Sequence, residues 1–176
     1  PTEAASLTPT FTETITPTEE LPPDLPVYPN PVIIDLSMWT AQDGWAVTQN
    51  GNALLVTADG GQTWLNATPS DLDTLPPGFI THSINPYYLD KNTAWFTPNS
   101  DTGGKLYHTA DRGFTWQTHP VPFDRAQYFF LTLNQGFALV PLDAGAGSFY
   151  VALHQTTDGG VTWTEVFSHE PGESKS

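Results

Sequence analysis

The chain has 176 residues, 38% of them apolar and 12% aromatic, which is enough to bury the core of one domain. Its 19 acidic residues stand against 5 Lys and Arg, and the net charge of −14 sets up a field that repels nucleic-acid phosphates and anionic lipid headgroups. With no cysteine there is no disulfide framework, thiol nucleophile or thiolate metal site, and no apolar run approaches the ~20 residues that cross a bilayer.

Residues 1–31 hold eight Pro, seven Thr and five acidic residues but no Lys or Arg. Too little apolar surface is available there to offset the entropy of ordering, and the prolines favour extended polyproline II structure. The segment reads as a disordered Thr/Pro-rich stalk of the kind that holds a domain away from a surface anchor and carries O-glycans. The first residue is Pro1, so an export signal is expected upstream of it, and the location expected is extracytoplasmic, secreted or surface-anchored.

From Val32 onward, short β-branched and aromatic runs are broken by Gly, Asn, Asp and Pro, and no 3.6-residue apolar period persists over a helix length. The predicted strands come in three sets of four. The first set is Val32–Leu36, Gly44–Val47, Ala53–Val56 and a strand beginning at Trp64. The second is Ile80–Ile84, Ala94–Thr97, Lys105–His108 and a strand from Trp116. The third is Gln127–Leu133, Gly136–Leu139, Phe149–His154 and a strand from Trp163. The units span about 32–70, 78–121 and 124–168, within a β-region 32–168 that is followed by a polar tail, 169–176.

One phrase recurs at the same place in each set: TADGGQTW at 57–64, TADRGFTW at 109–116 and TTDGGVTW at 156–163. The shared pattern Thr-x-Asp-x-Gly-x-Thr-Trp consists of Thr57, Asp59, Gly61, Thr63 and Trp64; Thr109, Asp111, Gly113, Thr115 and Trp116; and Thr156, Asp158, Gly160, Thr162 and Trp163. Four short strands in ~40–50 residues, repeated, are the sequence form of a β-propeller blade. Turn chemistry accounts for the motif. The Asp accepts backbone N–H bonds from two or three residues on, the glycines allow positive φ, the Thr completes the network, and the Trp packs on a neighbouring blade. Arg112, which replaces the small residue of the other boxes, is expected to face solvent.

At these boxes the chain resembles the BNR or Asp-box repeat family, and most of all the photosystem II stability/assembly factor-type propellers and their secreted bacterial relatives. The resemblance covers about 32–168 and implies an all-β propeller with three four-stranded antiparallel blades, in which the boxes are hairpin turns between third and fourth strands. Closed propellers have ~4–8 blades, so the expectation is a part of a larger propeller whose remaining blades come from the same longer chain.

The resemblance also raises the question of catalysis, since sialidases carry such boxes. Their site needs three arginines to clamp a carboxylate, and this chain has only Arg112 and Arg125, which rules out a complete sialidase site in these residues. An Asp-box xyloglucanase-like hydrolase needs only two carboxylates, for which Asp35, Asp43, Asp90 and Asp124 are the candidates. The five histidines have no metal-ligand spacing, and Asp71-Leu72-Asp73 lacks the oxygen ligands and Gly turn of a calcium loop. "AGAGS" at 144–148 reads as a strand connection with no helix behind it to hold phosphate.

The reading is therefore a non-catalytic module that binds or assembles with a protein or polysaccharide, without metal or cofactor. Trp39, Tyr87, Tyr88 and Phe123 are expected in or near loops, where their rings stack on a ligand or join the core. Two arginines do not make the arginine-rich patch associated with the assembly factors, so the resemblance carries over fold and general binding role but not the photosystem partner.

Overall fold

A computed structural model describes residues 25–49, 51–72, 84–98, 104–145 and 148–169. It contains three sheets of four antiparallel strands, each joined in simple chain order. The first sheet is β1 (Ile33–Met38), β2 (Gly44–Thr48), β3 (Leu54–Thr57) and β4 (Leu65–Asn66). The second is β5 (Tyr87–Tyr88), β6 (Ala94–Phe96), β7 (Lys105–Thr109) and β8 (Gln117–Pro120). The third is β9 (Gln127–Phe130), β10 (Gly136–Gly145), β11 (Ser148–Thr156) and β12 (Thr164–His169).

The register makes the three sheets copies of one another. A small residue opens the second strand and faces the first: Gly44 opposite Met38, Ala94 opposite Tyr88, and Gly136 opposite Phe130. The next residue of the second strand, Trp45, Trp95 or Phe137, then points to the other face, because side chains alternate along a strand. That alternation sets the packing. Trp45 reaches the second sheet, with its ring 5.4 Å from Tyr88 and its indole N–H donating to the Lys91 carbonyl at 3.0 Å. Trp95 repeats the contact one sheet on, stacked 3.9 Å from Phe130.

Two cores lie between successive sheets: Trp45, Val47, Leu54 and Val56 meet Phe96 and Tyr107, while Trp95 and Leu106 meet Tyr128, Phe130 and Val140. Burying each such side chain contributes roughly 2–3 kcal/mol, so the sheets hold one another face to face.

Two elements depart from the sequence reading. The first strand of the second sheet is Tyr87–Tyr88 rather than Ile80–Ile84. Ile84 is instead a buried residue ahead of it, and 80–83 lie outside the described residues. Composition also placed 25–31 in the stalk. These residues run along β4: the Tyr28 N–H donates to the Trp64 carbonyl at 2.8 Å, and the Asn66 N–H donates to the Pro26 carbonyl at 2.8 Å. Tyr28 packs against the buried cluster of Ala46, Leu55 and Trp64, so a local Pro-rich bias is overruled by a free strand edge beside an apolar pocket. The stalk expected over 1–24 lies outside the described residues, as does nearly all of the 169–176 tail, whose first residue, His169, ends β12.

Candidate binding groove and the repeated turns

The three boxes fold alike. In each, the first Thr hydroxyl donates to the Asp carboxylate at 2.8 Å and accepts the N–H of the box glycine, Gly61, Gly113 or Gly160, at 2.9–3.0 Å. The second oxygen-seeking contact comes from the second Thr, whose N–H (Thr63, Thr115 or Thr162) donates to the same carboxylate at 2.9 Å. The carboxylate therefore reaches the N–H four residues on, one residue further than the two or three that Asx-type reasoning gave, because a Thr hydroxyl takes the N–H two residues on. Thr115 and Thr162 add their hydroxyls at 2.6 Å.

These bonds favour the ionised carboxylate. For Asp158 the Thr162 hydroxyl and N–H come first among the causes, and its pKa falls to about 2. For Asp59 and Asp111 burial opposes ionisation, yet the Thr contacts outweigh it and both pKa values are lowered. The Trp of the second box donates its indole N–H to the Ala67 carbonyl of the first sheet at 2.9 Å, while Trp163 donates to Gly160 at 3.0 Å and packs edge-on to Phe123 and Phe130.

Each box is also stapled to the loop between the first two strands of its own sheet. The N–H groups of Gly60, Arg112 and Gly159 donate to the carbonyls of Gln42, Asn92 and Asn134 at 2.9 Å, with φ of +74°, +60° and +78°. Arg112 thus occupies a left-handed position that glycine fills in the other two boxes. It does not face solvent as expected. Its side chain is 5% exposed, with the guanidinium 2.7 Å from the Asp43 carboxylate of the first sheet and Nε donating to the Asn92 amide oxygen at 2.9 Å. One box has become an ionic tie between sheets, and the sequence signal for it was only an arginine where glycine is the rule.

The four aromatic candidates are likewise not free rings. Tyr87 and Tyr88 form β5, Phe123 is buried, and Trp39 packs edge-on to Tyr88 at 5.7 Å. The Tyr87 hydroxyl donates to the Phe130 carbonyl at 2.7 Å. Burial first, and the Asp35 charge second, push the Tyr88 phenol well above its ordinary pKa.

Of the four candidate carboxylates, Asp43 is held by Arg112 and by the Thr40 hydroxyl at 2.9 Å, and Asp90 caps the N–H of Asn92 at 2.8 Å. Asp124 is an exposed residue ahead of β9. Asp35 alone among them lines a groove of about 700 Å³ bordered by β1, β9 and β10 and by the segment that leads into β5. Val47, Ile84 and Thr97 form its deep part, all at most 5% exposed. Ile34, Asp35, Asn85, Arg125, Gln127, Leu139 and Pro141 are the exposed lining residues. Arg125, Gln127 and Leu139 were not singled out from the sequence, because a lone arginine before a strand has no motif around it.

β1, β5 and β9 are all edge strands, with one row of backbone groups unpaired within the sheet. Among the described residues no group of His, Asp or Glu is arranged to hold a metal ion, and no helix is long and apolar enough to cross a membrane.

No family model matches the chain, and no curated protein does. Among solved structures it is similar to "YCF48 bound to D1 peptide", with 24% identity and a TM-score of 0.52 over 81% of this chain and 41% of that one. It is also similar to "YCF48 from Cyanidioschyzon merolae", with 20% identity and a TM-score of 0.56 over 80% of this chain and 41% of that one. The three sheets are β-propeller blades. The chain spans about two fifths of the length of these neighbours. Its first, second and third blades are the three sheets in chain order.

Proposed function

We propose that this chain is a non-catalytic, extracytoplasmic propeller module that binds an extended segment of a partner protein in the groove between its first strands. The observation that carries the reading is the groove itself: the edge strands β1 and β9, which offer backbone donors and acceptors, border an apolar floor, with Asp35 and Arg125 at its exposed margin. Strand-edge pairing supplies affinity to any extended peptide, and alternate side chains entering an apolar pocket supply selectivity. The solved neighbour whose title reads "YCF48 bound to D1 peptide" supports a peptide over a sugar as occupant. The repeated boxes, as Asp-boxes of a BNR-type propeller, serve as hairpin turns. The Thr/Pro-rich N-terminal composition supports display outside the cytoplasm.

The test is selection of binders from a displayed random-peptide library on the 176-residue chain, followed by affinity measurement with Arg125→Glu and Ile34→Asp. Both side chains are exposed, so thermal stability should hold while affinity falls at least tenfold. Peptides unaffected by either change, or turnover of xyloglucan that disappears in Asp35→Asn, would overturn the proposal.

A further inference from the structure

The two walls of the groove carry equivalent residues of different chemistry. In the first blade Asp35 stands opposite Val47, and in the third Gln127 stands opposite Leu139. Counted back from the pairs Met38–Gly44 and Phe130–Gly136, Asp35 and Gln127 occupy the same position of their blades. All four residues line the groove, so one wall presents a carboxylate and the other an amide, with the Arg125 guanidinium two residues ahead of it. A bulge adds to the first wall. Ile33 faces Thr48 and Asp35 faces Val47, which leaves Ile34 as an extra residue in β1. Neighbours in a regular strand point to opposite faces, but across this bulge Ile34 and Asp35 both line the groove. Between the walls the floor is apolar: Val47 and Ile84 are buried, and the Thr97 hydroxyl is engaged by the Tyr128 hydroxyl. The charges on the walls are unspent. Among the described residues no hydrogen bond or ion pair reaches the Asp35 carboxylate or the Arg125 guanidinium, and both residues are exposed.

We propose that the occupant of the groove is a mixed-charge peptide: an extended segment with a basic side chain toward Asp35, an acidic one toward Arg125 and an aliphatic one between them on the floor. The inference rests on the peptide reading of the groove and adds the chemistry of the segment. A carboxylate on one wall and a guanidinium on the other favour a ligand that matches both, and a like charge set against either wall costs affinity. At physiological salt charges are screened over about 8 Å, so contacts at the walls, rather than the net charge of −14, decide between peptides already in the groove. A purely basic segment is drawn to the chain as a whole but meets Arg125. A purely acidic one is repelled by the chain and meets Asp35 as well.

The experiment applies the full 176-residue chain to a peptide array with a central Val and with Lys, Glu or Gln in every combination at the two positions on each side of it. Peptides with Lys on one side of the Val and Glu on the other should bind best. Their affinity in solution, read by fluorescence anisotropy at about 0.15 M salt, should exceed that of the all-Gln peptide at least tenfold. Asp35→Lys should move the preference to peptides with Glu on both sides, and Arg125→Glu to peptides with Lys on both sides. Both positions are exposed, so an unchanged melting temperature shows the fold intact in each variant. Best binding by the all-Lys peptide would show that net charge decides, and would overturn the inference. Binding that is lost in Ile34→Asp yet ignores both charge reversals would overturn it too, while leaving the groove a peptide site. No binding by any peptide of the array would overturn both readings.

Discussion

Replacing Arg112 with glycine sets two effects of opposite sign against each other. Glycine relieves a side chain held at φ +60°, a left-handed conformation that costs a non-glycine residue roughly 1–2 kcal/mol. The same change strands the Asp43 carboxylate, whose partner guanidinium is 5% exposed while Asp43 itself keeps 17%. Removing one member of a buried pair costs about 3–5 kcal/mol. The low end applies, because Asp43 retains some water and the Thr40 hydroxyl. Arg112→Gly should therefore lose about 1–2 kcal/mol net, whereas Arg112→Ala, which keeps the strained backbone, should lose about 3. Asp43→Asn combined with Arg112→Gly should recover much of the loss, since neither charge is then buried alone. Urea unfolding followed by tryptophan fluorescence measures all four proteins. If Arg112→Gly were as stable as the parent and the double variant no more stable than Arg112→Gly, the ionic tie between blades would have no energetic meaning.

Asp111→Ala should cost roughly 2–3 kcal/mol, since three bonds to its carboxylate are lost from a half-exposed turn at about 1 kcal/mol each; a midpoint shift in the same urea titration reads it. Acid should unfold the chain through its boxes. Asp59, Asp111 and Asp158 have folded pKa values below the 3.8 ordinary for aspartate, so their contribution is complete above about pH 4 and disappears as pH falls toward about 2, where Asp158 titrates. Stability measured from pH 5 to 2 should fall steeply in that window, and the fall should be shallower in Asp158→Asn.

The blades were legible because their signals are local. A box of eight residues closes its own hydrogen bonds, and a small-aromatic pair such as Gly44-Trp45 marks both the strand and the face it buries. What escaped is set by tertiary context. Tyr87 and Tyr88 sit next to a proline and form a two-residue strand that pairs with β6 and sets their rings against Trp95 and Trp45. Residues 25–31 have the composition of a tether, and nothing within them shows that β4 leaves an edge for the Tyr28 N–H. The groove is less legible still. Ile34, Arg125 and Leu139 come from two blades and three different chain segments, and no spacing in the sequence relates them.

In every blade each strand pairs with the strand next to it in the chain. Pairing of this kind closes only short loops, so the entropy lost in bringing strands together stays small and the hairpin at a box is able to form before distant parts of the chain have met. A blade is then a kinetic unit as well as a structural one. Duplicating or deleting a blade would therefore leave the strand pairing inside every other blade as it is.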